Sequence, residues 1–589
     1  MDFQLPGLGL LPKLLPGFLA SITPLQSPLP DPIQACLALK SSVNIENTTI
    51  TGVSYVPAGS TVATPGVCVA STDVVASVCR VEFTTRTSEH SAVRAEAWLP
   101  DEWYGRFLGA GNGGLGGCID YGTLNYGTAY HFATVGSDNG HDGSDGSFFL
   151  NKPEVINDFA FRAIHVEAVV GKQLVEAYYK RPHDKSYYLG CSTGGRQGTQ
   201  AALKFPEDFD GIVAGAPAHN WNHLMYWTGI TARHIGSPEF WSSSAYIPPH
   251  LWKTLIVPEI LRQCDTLDGV KDGIITEPDE CDFQPETLLC RRWPVHCLSQ
   301  HQVDALRKIY APVFVDGEFV YPRFDPGAEA DAAALALFGG AFPDIPKSWL
   351  RYVVLNDTDF DVREFGAGHL RLMDTMDNGG ISTFDGDLSA FRARGGKFLT
   401  YHGRMDPLIA SGNSKNYYDL ISQTLGSPDD FYRLFLIPGM GHCAGGPGST
   451  RFGQLGRSIA PHNDTQHNIL LALVDWVEHG VAPERNSSVW TEVQPHHVTS
   501  PKMLLLRIYK YCFSMSLMGS PILLAFPTRF CRTPVRSIDE VVARDEGHGG
   551  ASVCVGGRHG PGAVVSRQQR DNIFRVCWRG TTPRISTSG

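Results

Sequence analysis

The sequence predicts an α/β fold: a parallel sheet with crossover helices, interrupted by one large insertion. Three observations carry this. Apolar strand-like runs alternate with a helix-spaced segment between residues 106 and 215; the alternation stops from about 221 to 384; it resumes between 395 and 480. At 589 residues the chain exceeds what one ordinary core needs, so either it holds two domains or one large core carries an insertion.

Taken in order, "TTITGVSYVP", "SVCRVEFTT" and "SAVRAEAWLP" read as short strands separated by turns. "RFLGAGNGGLGG" is a strand running into a glycine-rich loop. "EVINDFAFRAIHVEAVVGKQLVEAYY" places apolar residues every three to four positions, the period of a helix. "KSYYLG" is a strand, "GGRQGTQAALKF" opens a helix, and "FDGIVAGAP" is the next strand. Residues 221–384 are richer in Trp, Pro, Cys and Asp and read as an inserted domain, one able to lie over the strand ends as a lid. "GGKFLTYHG" and "YRLFLIPG" resume the strands, and "HNILLALVDWVEHG" adds an amphipathic helix. The expected organisation is a catalytic core of residues 31–220 and 385–497, the insertion 221–384, an N-terminal segment 1–30, and a tail 498–589. The tail reads as a poorly ordered extension or as translated non-coding sequence, with no chemistry in it.

Composition narrows the function. A net charge of −11 argues against nucleic acid as the main partner, and no apolar run reaches the length of a membrane span. Fourteen cysteines, with glycosylation sequons at Asn47, Asn356, Asn463 and Asn486, point to secretion. The first 27 residues are apolar and end in small residues, but contain four prolines and lack a basic start. They read as an atypical secretory leader or as a wrongly assigned start.

The chemistry gathers in three glycine-rich stretches. Gly190-Cys-Ser-Thr-Gly194 has the G-x-S-x-G form, with a predicted strand before it and a helix after it, which makes Ser192 a nucleophile in a sharp turn. The alternative is a structural turn serine. A serine hydroxyl needs a base, and the base needs an orienting carboxylate, expected in the order Ser, acid, His. Asp406 in "HGRMDPLI" sits just past a strand end and is the acid candidate; a turn Asp before Pro407 is the plain reading. His442 in "PGMGHCAGG" follows the next strand and is the base candidate. His402 reads as a packing or substrate-facing residue. Oxyanion donors are expected from the Thr193 N–H and, by position, from Gly113 and Gly114 in "GAGNGGLGG".

Cys191 stands directly before Ser192, and Cys443 directly after His442. A reactive thiol is one reading of Cys191. The other follows from the triad: if Ser192 and His442 converge, the cysteines approach too, and a disulfide becomes possible. It would close a loop of about 250 residues, stabilising the chain by roughly 5 kcal/mol in the chain-entropy treatment.

Within the insertion, "CDTLDGVKDGIITEPDEC" places Asp265, Asp268 and Asp272 at short spacing among glycines. Carboxylates on a sharply turning chain suit a hard cation such as calcium, with the Val270 and Ile274 carbonyls available to complete the shell. The plain reading is a solvated Asp-Gly turn. Cys264 and Cys281 bracket the loop and could staple it.

"GCSTGGRQG", "HGRMDPLI" and "GMGHC", with "CDTLDGVKDGI" between the first two, resemble the fungal tannase and feruloyl esterase family, over roughly residues 36–490. "YYLGCSTGGRQG" and "FPEDFDGIVAGAPA" are more similar to the feruloyl esterase branch. The resemblance implies an α/β-hydrolase core with a large inserted lid domain, a triad of Ser192, Asp406 and His442, and a Cys191–Cys443 bridge. It implies a structural calcium in the lid on Asp265, Asp268, Val270, Asp272 and Ile274. It further implies disulfides Cys36–Cys79, Cys68–Cys118, Cys264–Cys281 and Cys290–Cys297. After about residue 498 the family's further disulfide-bearing segment is not recognisable; Cys531 and Cys554 could pair instead. The expected activity is that of a secreted serine carboxylesterase cleaving feruloyl (hydroxycinnamoyl) esters of plant cell-wall polysaccharide. The competing readings are a tannase acting on gallate esters, a catalytically inactive wall-binding protein, and a thiol oxidoreductase using Cys191. Oligomeric state is not readable from the sequence.

Overall fold

The structure, a computed structural model, describes residues 31–290, 296–456, 458 and 460–483. The segment 1–30, the tail 498–589 with Cys531 and Cys554, and Asn486 lie outside the described residues.

Nine strands form the central sheet: β1 Thr48–Val56, β2 Val78–Arg86, β3 Ala92–Pro100, β4 Arg106–Ala110, β5 Phe132–Ser137, β6 Lys185–Cys191, β7 Gly211–Gly215, β8 Lys397–Gly403 and β9 Tyr432–Ile437. Their spatial order is β1-β2-β3-β5-β4-β6-β7-β8-β9. The pairs β1·β2, β2·β3 and β3·β5 are antiparallel, and every later pair is parallel. The parallel part is the one the strand-helix-strand rhythm predicts. Sequence reading missed β5, "FATVGS". All six of its residues are buried, so it shows neither alternation nor a polar edge to mark it.

Both faces of the sheet are covered. Tyr188, Ile212, Ala214, Phe398 and Leu434 point to one side, where they meet Leu174 and Val175 of α1 (Ala163–Tyr179) and Ala201 of α2 (Thr193–Lys204). Tyr187, Leu189, Val213, Leu399 and Phe435 point to the other, against Ile469, Leu470 and Leu473 of a third helix, α3 (Ile469–His479). This is the period-2 alternation of strands sandwiched between helices. The third helix starts cleanly because Asn468 Oδ1 accepts the Leu470 and Leu471 N–H groups at 3.0 and 3.2 Å, and it stops at Gly480 in the left-handed region. Glu478 then ties it to the sheet, accepting both arms of Arg106 at 2.8 Å and the Tyr187 hydroxyl at 2.7 Å.

The described residues of 221–384 add no strand to this sheet. They form helices, beginning with Trp221–His234, and a two-stranded hairpin, Val313–Val315 with Glu318–Tyr321. Their apolar side chains make one cluster that also takes in Leu115, Phe149 and Phe159 from the core sequence, so the two stretches share a hydrophobic interior. All five expected disulfides are present: Cys36–Cys79, Cys68–Cys118, Cys191–Cys443, Cys264–Cys281 and Cys290–Cys297. Among the described residues no helix is long and apolar enough to cross a membrane.

Candidate active site

The β6 strand ends in a strained turn. Ser192 has φ 65° and ψ −121°, a region that costs a side-chain-bearing residue about 1–3 kcal/mol. Its backbone is held on both sides: its N–H donates to the Gly215 carbonyl at 2.9 Å, and its carbonyl accepts from Arg196 at 3.1 Å and Ala218 at 3.2 Å. The flanking glycines are a matter of space. A Cβ at Gly190 would lie 2.7 Å from the Gly194 carbonyl oxygen, and one at Gly194 would lie 2.9 Å from the Asn112 carbonyl oxygen. The motif therefore exists because three backbone segments touch where the nucleophile turn begins.

His442 follows β9 in its own loop. Its Nδ1 lies 2.7 Å from Asp406 Oδ2. A carboxylate only accepts, so Nδ1 carries the proton and Nε2 keeps its lone pair for a substrate-side hydroxyl. Asp406 is fully buried, and its Oδ1 accepts the N–H groups of Leu408 at 2.9 Å and Ile409 at 3.0 Å. His402, also fully buried, stands 3.2 Å from Asp406 Oδ2 through Nε2, which also faces the Ile409 carbonyl at 2.9 Å. Both neighbours are acceptors, so Nε2 is protonated and Nδ1 accepts the Ser414 hydroxyl at 2.7 Å. His402 is thus a support for Asp406, closer to the packing role than to a substrate-facing one.

Burial alone would raise the Asp406 carboxyl; the His442 imidazole, together with His402, holds it below the usual carboxylate range. Burial alone would lower His442; the Asp406 carboxylate, with a smaller contribution from Asp331, lifts it above the ordinary histidine value.

Ser192, Thr193, Gly114 and His442 border one cavity of about 330 Å³, within the usual range for small-molecule sites. The Ser192 hydroxyl makes no hydrogen bond to His442 in this resting arrangement; such contacts commonly tighten when substrate binds. Thr193, Gly113 and Gly114 find no acceptor for their backbone N–H groups among the described residues. A Cβ at Gly113 or Gly114 would meet nothing within 4 Å, so the loop faces open space. The rest of the wall comes from the insertion, with Trp221, Leu224, Met225, Leu337, Phe342 and Pro346, and from the acid loop, with Leu408 and Ile409.

Sequence reading missed a buried amide clasp behind this site. Gln197, one turn into α2, accepts the Asn112 N–H at 2.9 Å and donates to Asn112 Oδ1 at 2.9 Å and Asn139 Oδ1 at 3.1 Å. The Thr193 hydroxyl donates to the Gly114 carbonyl at 2.6 Å. Together these bonds join the helix that begins at Thr193 to the glycine-rich loop, the two candidate sources of oxyanion donors. Nothing local in "GGRQG" marks Gln197, because its partners lie 85 and 58 residues upstream.

The family profile described as "Tannase and feruloyl esterase" matches residues 77–350 and 347–507. The chain belongs to the tannase and feruloyl esterase family. Within that family it is similar to the probable feruloyl esterase B-2 of Aspergillus terreus, 44% identical over 465 residues, covering 76% of this chain and 86% of the relative. The crystal structure of feruloyl esterase B from Aspergillus oryzae superposes with a TM-score of 0.74 at 41% identity, over 77% of this chain and 92% of that one. Tannin acyl hydrolase from Aspergillus niger shares the fold, with a TM-score of 0.60 at 22% identity over 77% of this chain and 88% of that one. As a member of this family the protein is a carboxylic ester hydrolase on an α/β-hydrolase fold.

In the insertion, the loop between Cys264 and Cys281 carries the candidate calcium ligands. Asp265 Oδ1 accepts the Asp272 and Gly273 N–H groups, Asp268 Oδ1 accepts that of Val270, and Asp272 Oδ1 accepts that of Ile274. The Thr276 hydroxyl donates to Asp268 Oδ2 at 2.6 Å. Among the described residues no three His, Cys, Asp or Glu side chains are gathered into a metal cage. The donor set itself, all carboxylate and carbonyl oxygen, suits a hard cation.

The raised His442 makes a prediction. With His442 as the candidate base, the neutral imidazole is the working form, so kcat/KM should fall as pH drops through an apparent pKa above the usual 6.5 or so. Asp331→Asn removes negative charge beside His442 and should move this acid limb to lower pH; a pH–rate profile that stays put, or moves up, contradicts the assignment.

Proposed function

We propose that this family member is a secreted serine esterase whose triad is Ser192, His442 and Asp406, and that it cleaves hydroxycinnamoyl esters of plant cell-wall polysaccharide. The observation that carries the reading is one cavity bordered by Ser192 and His442, with His442 bonded at 2.7 Å to a buried Asp406. Ser192 Oγ attacks the ester carbonyl while His442 Nε2 takes its proton. Asp406 keeps the ring in the Nδ1–H tautomer and stabilises the imidazolium. The Thr193 N–H and the Gly113 or Gly114 N–H stabilise the oxyanion. His442 returns the proton to the leaving alcohol; water then enters by the same route and frees the acid.

The wall supports an aromatic acyl group with few hydroxyls. Beyond Ser192, Thr193 and His442, the polar groups among its lining residues are Thr228, Asp344 and the Trp221 indole N–H, with apolar residues around them. Gallate carries three adjacent hydroxyls, which would lose water without enough partners here. The relatives named feruloyl esterase B agree with this choice. Five disulfides and exposed sequon residues at Asn47, Asn356 and Asn463 support secretion and glycosylation.

Labelling with a serine-directed phosphonate and peptide mapping should mark Ser192, and Ser192→Ala should lower kcat at least about a thousandfold. Methyl ferulate should be cleaved with a higher kcat/KM than methyl gallate. A gallate preference overturns the substrate assignment; unchanged hydrolysis by the variant overturns the mechanism.

We further propose that the 264–281 loop holds a structural calcium through Asp265, Asp268 and Asp272 with the Val270 and Ile274 carbonyls. Bound there, the ion would add stiffness to the loop and take no part in ester cleavage. Chelation should lower the thermal midpoint, calcium should restore it, and Asp268→Ala should abolish the response. Protein that carries no calcium by elemental analysis, and whose midpoint ignores both chelator and added ion, would refute this.

A further inference from the structure

Outside the proposed triad, one group of buried charges lies beside the Asp406 loop. Arg404 is 1% exposed and lies two residues before Asp406. Its guanidinium donates to Asp279 Oδ2 at 2.8 Å and to Ser411 Oγ at 2.7 Å. Lys415 pairs with the same Asp279 oxygen. The Ser411 hydroxyl and N–H both donate to Asp325 Oδ2, at 2.5 and 3.1 Å. Arg323 meanwhile grips the turn that carries Asp279, donating to the carbonyls of Pro278 at 2.6 Å and of Asp279 and Cys281 at 3.2 Å each. Burial alone would raise the Asp279 carboxyl, but Arg404 and Lys415 hold it below the usual carboxylate range.

Two carboxylates of the insertion therefore hold both ends of residues 404–411. Three residues between those ends bear on the candidate site. Asp406 lies there, together with the Leu408 and Ile409 N–H groups that fix its carboxylate, and the same two side chains line the cavity. A buried ion-pair cluster is weak evidence for stability, because desolvation offsets most of its attraction; what it supplies here is a single geometry for a loop.

We propose that Asp279 and Asp325 are positioning residues for ester cleavage: through Arg404 and Ser411 they fix the acid loop, and with it the Asp406 carboxylate and one wall of the acyl cavity. The proposal rests on the triad reading. It makes the insertion part of the catalytic mount as well as the wall of the cavity.

The test uses the full chain, with active sites titrated by the phosphonate and assays run well below each variant's thermal midpoint. Asp279→Asn and Asp325→Asn should each lower kcat per titrated site by about ten- to a hundredfold, the scale of a misplacement near 1 Å. The acid limb of kcat/KM should also move to lower pH, since a displaced Asp406 supports the His442 imidazolium less; Asp331, the other carboxylate facing His442, is untouched. Asp279→Glu should recover part of both effects. Ser411→Ala is the milder break should either Asn variant fail to fold, with the same limb shift expected. Variants that lose thermal stability but keep the parent kcat and acid limb overturn the proposal. Failure of the triad reading itself would look different, as a parent protein that the phosphonate does not label at Ser192.

Discussion

The site depends on holding one strained residue against one loop. Ser192 stays in its unfavourable backbone region only because strand, helix and neighbouring loop close around it. The Cys191–Cys443 disulfide adds a covalent limit to that arrangement. It joins the residue before Ser192 to the residue after His442, across a sequence separation of 252, with Cα atoms 5.9 Å apart. Noncovalent ties converge on the same point: Gln197 and the Thr193 hydroxyl bind the glycine-rich loop to the nucleophile helix.

The second half of the candidate site is mounted differently. Asp406 sits in a loop whose geometry comes from buried polar contacts, with His402 behind it and the Leu408 and Ile409 N–H groups in front. Arg404 and Ser411, at the two ends of that loop, reach into the insertion. The insertion also provides most of the apolar wall of the cavity. Residues 221–384 and the core sequence thus share a hydrophobic cluster, a charged latch and a cavity, and residues 221–384 belong to the candidate site as fully as the strands do.

What could be read from the sequence follows from how local each signal is. The G-x-S-x-G turn, the Asp past β8 and the His past β9 are local patterns, each with a strand beside it, and the structure brings Ser192 and His442 to one cavity with Asp406 behind. The Cys191–Cys443 pairing followed from those same residues. By contrast, β5 carries no periodicity because both its faces are buried. The Gln197 clasp and the Asp279–Arg404 latch join residues 85 and 125 positions apart, and their side chains are unremarkable until the chain is folded. The wall of the cavity was invisible for the same reason.

The most direct test of the central constraint is kcat for the Cys191→Ala/Cys443→Ala double variant, measured per titrated active site well below its thermal midpoint, with the fold checked by circular dichroism. A disulfide that holds Ser192 against the His442 loop predicts a loss of roughly tenfold or more in a variant that remains folded, since small displacements of a nucleophile from its base are costly. A folded double variant with the full parental kcat would contradict it, and would reduce the bridge to a stabilising crosslink.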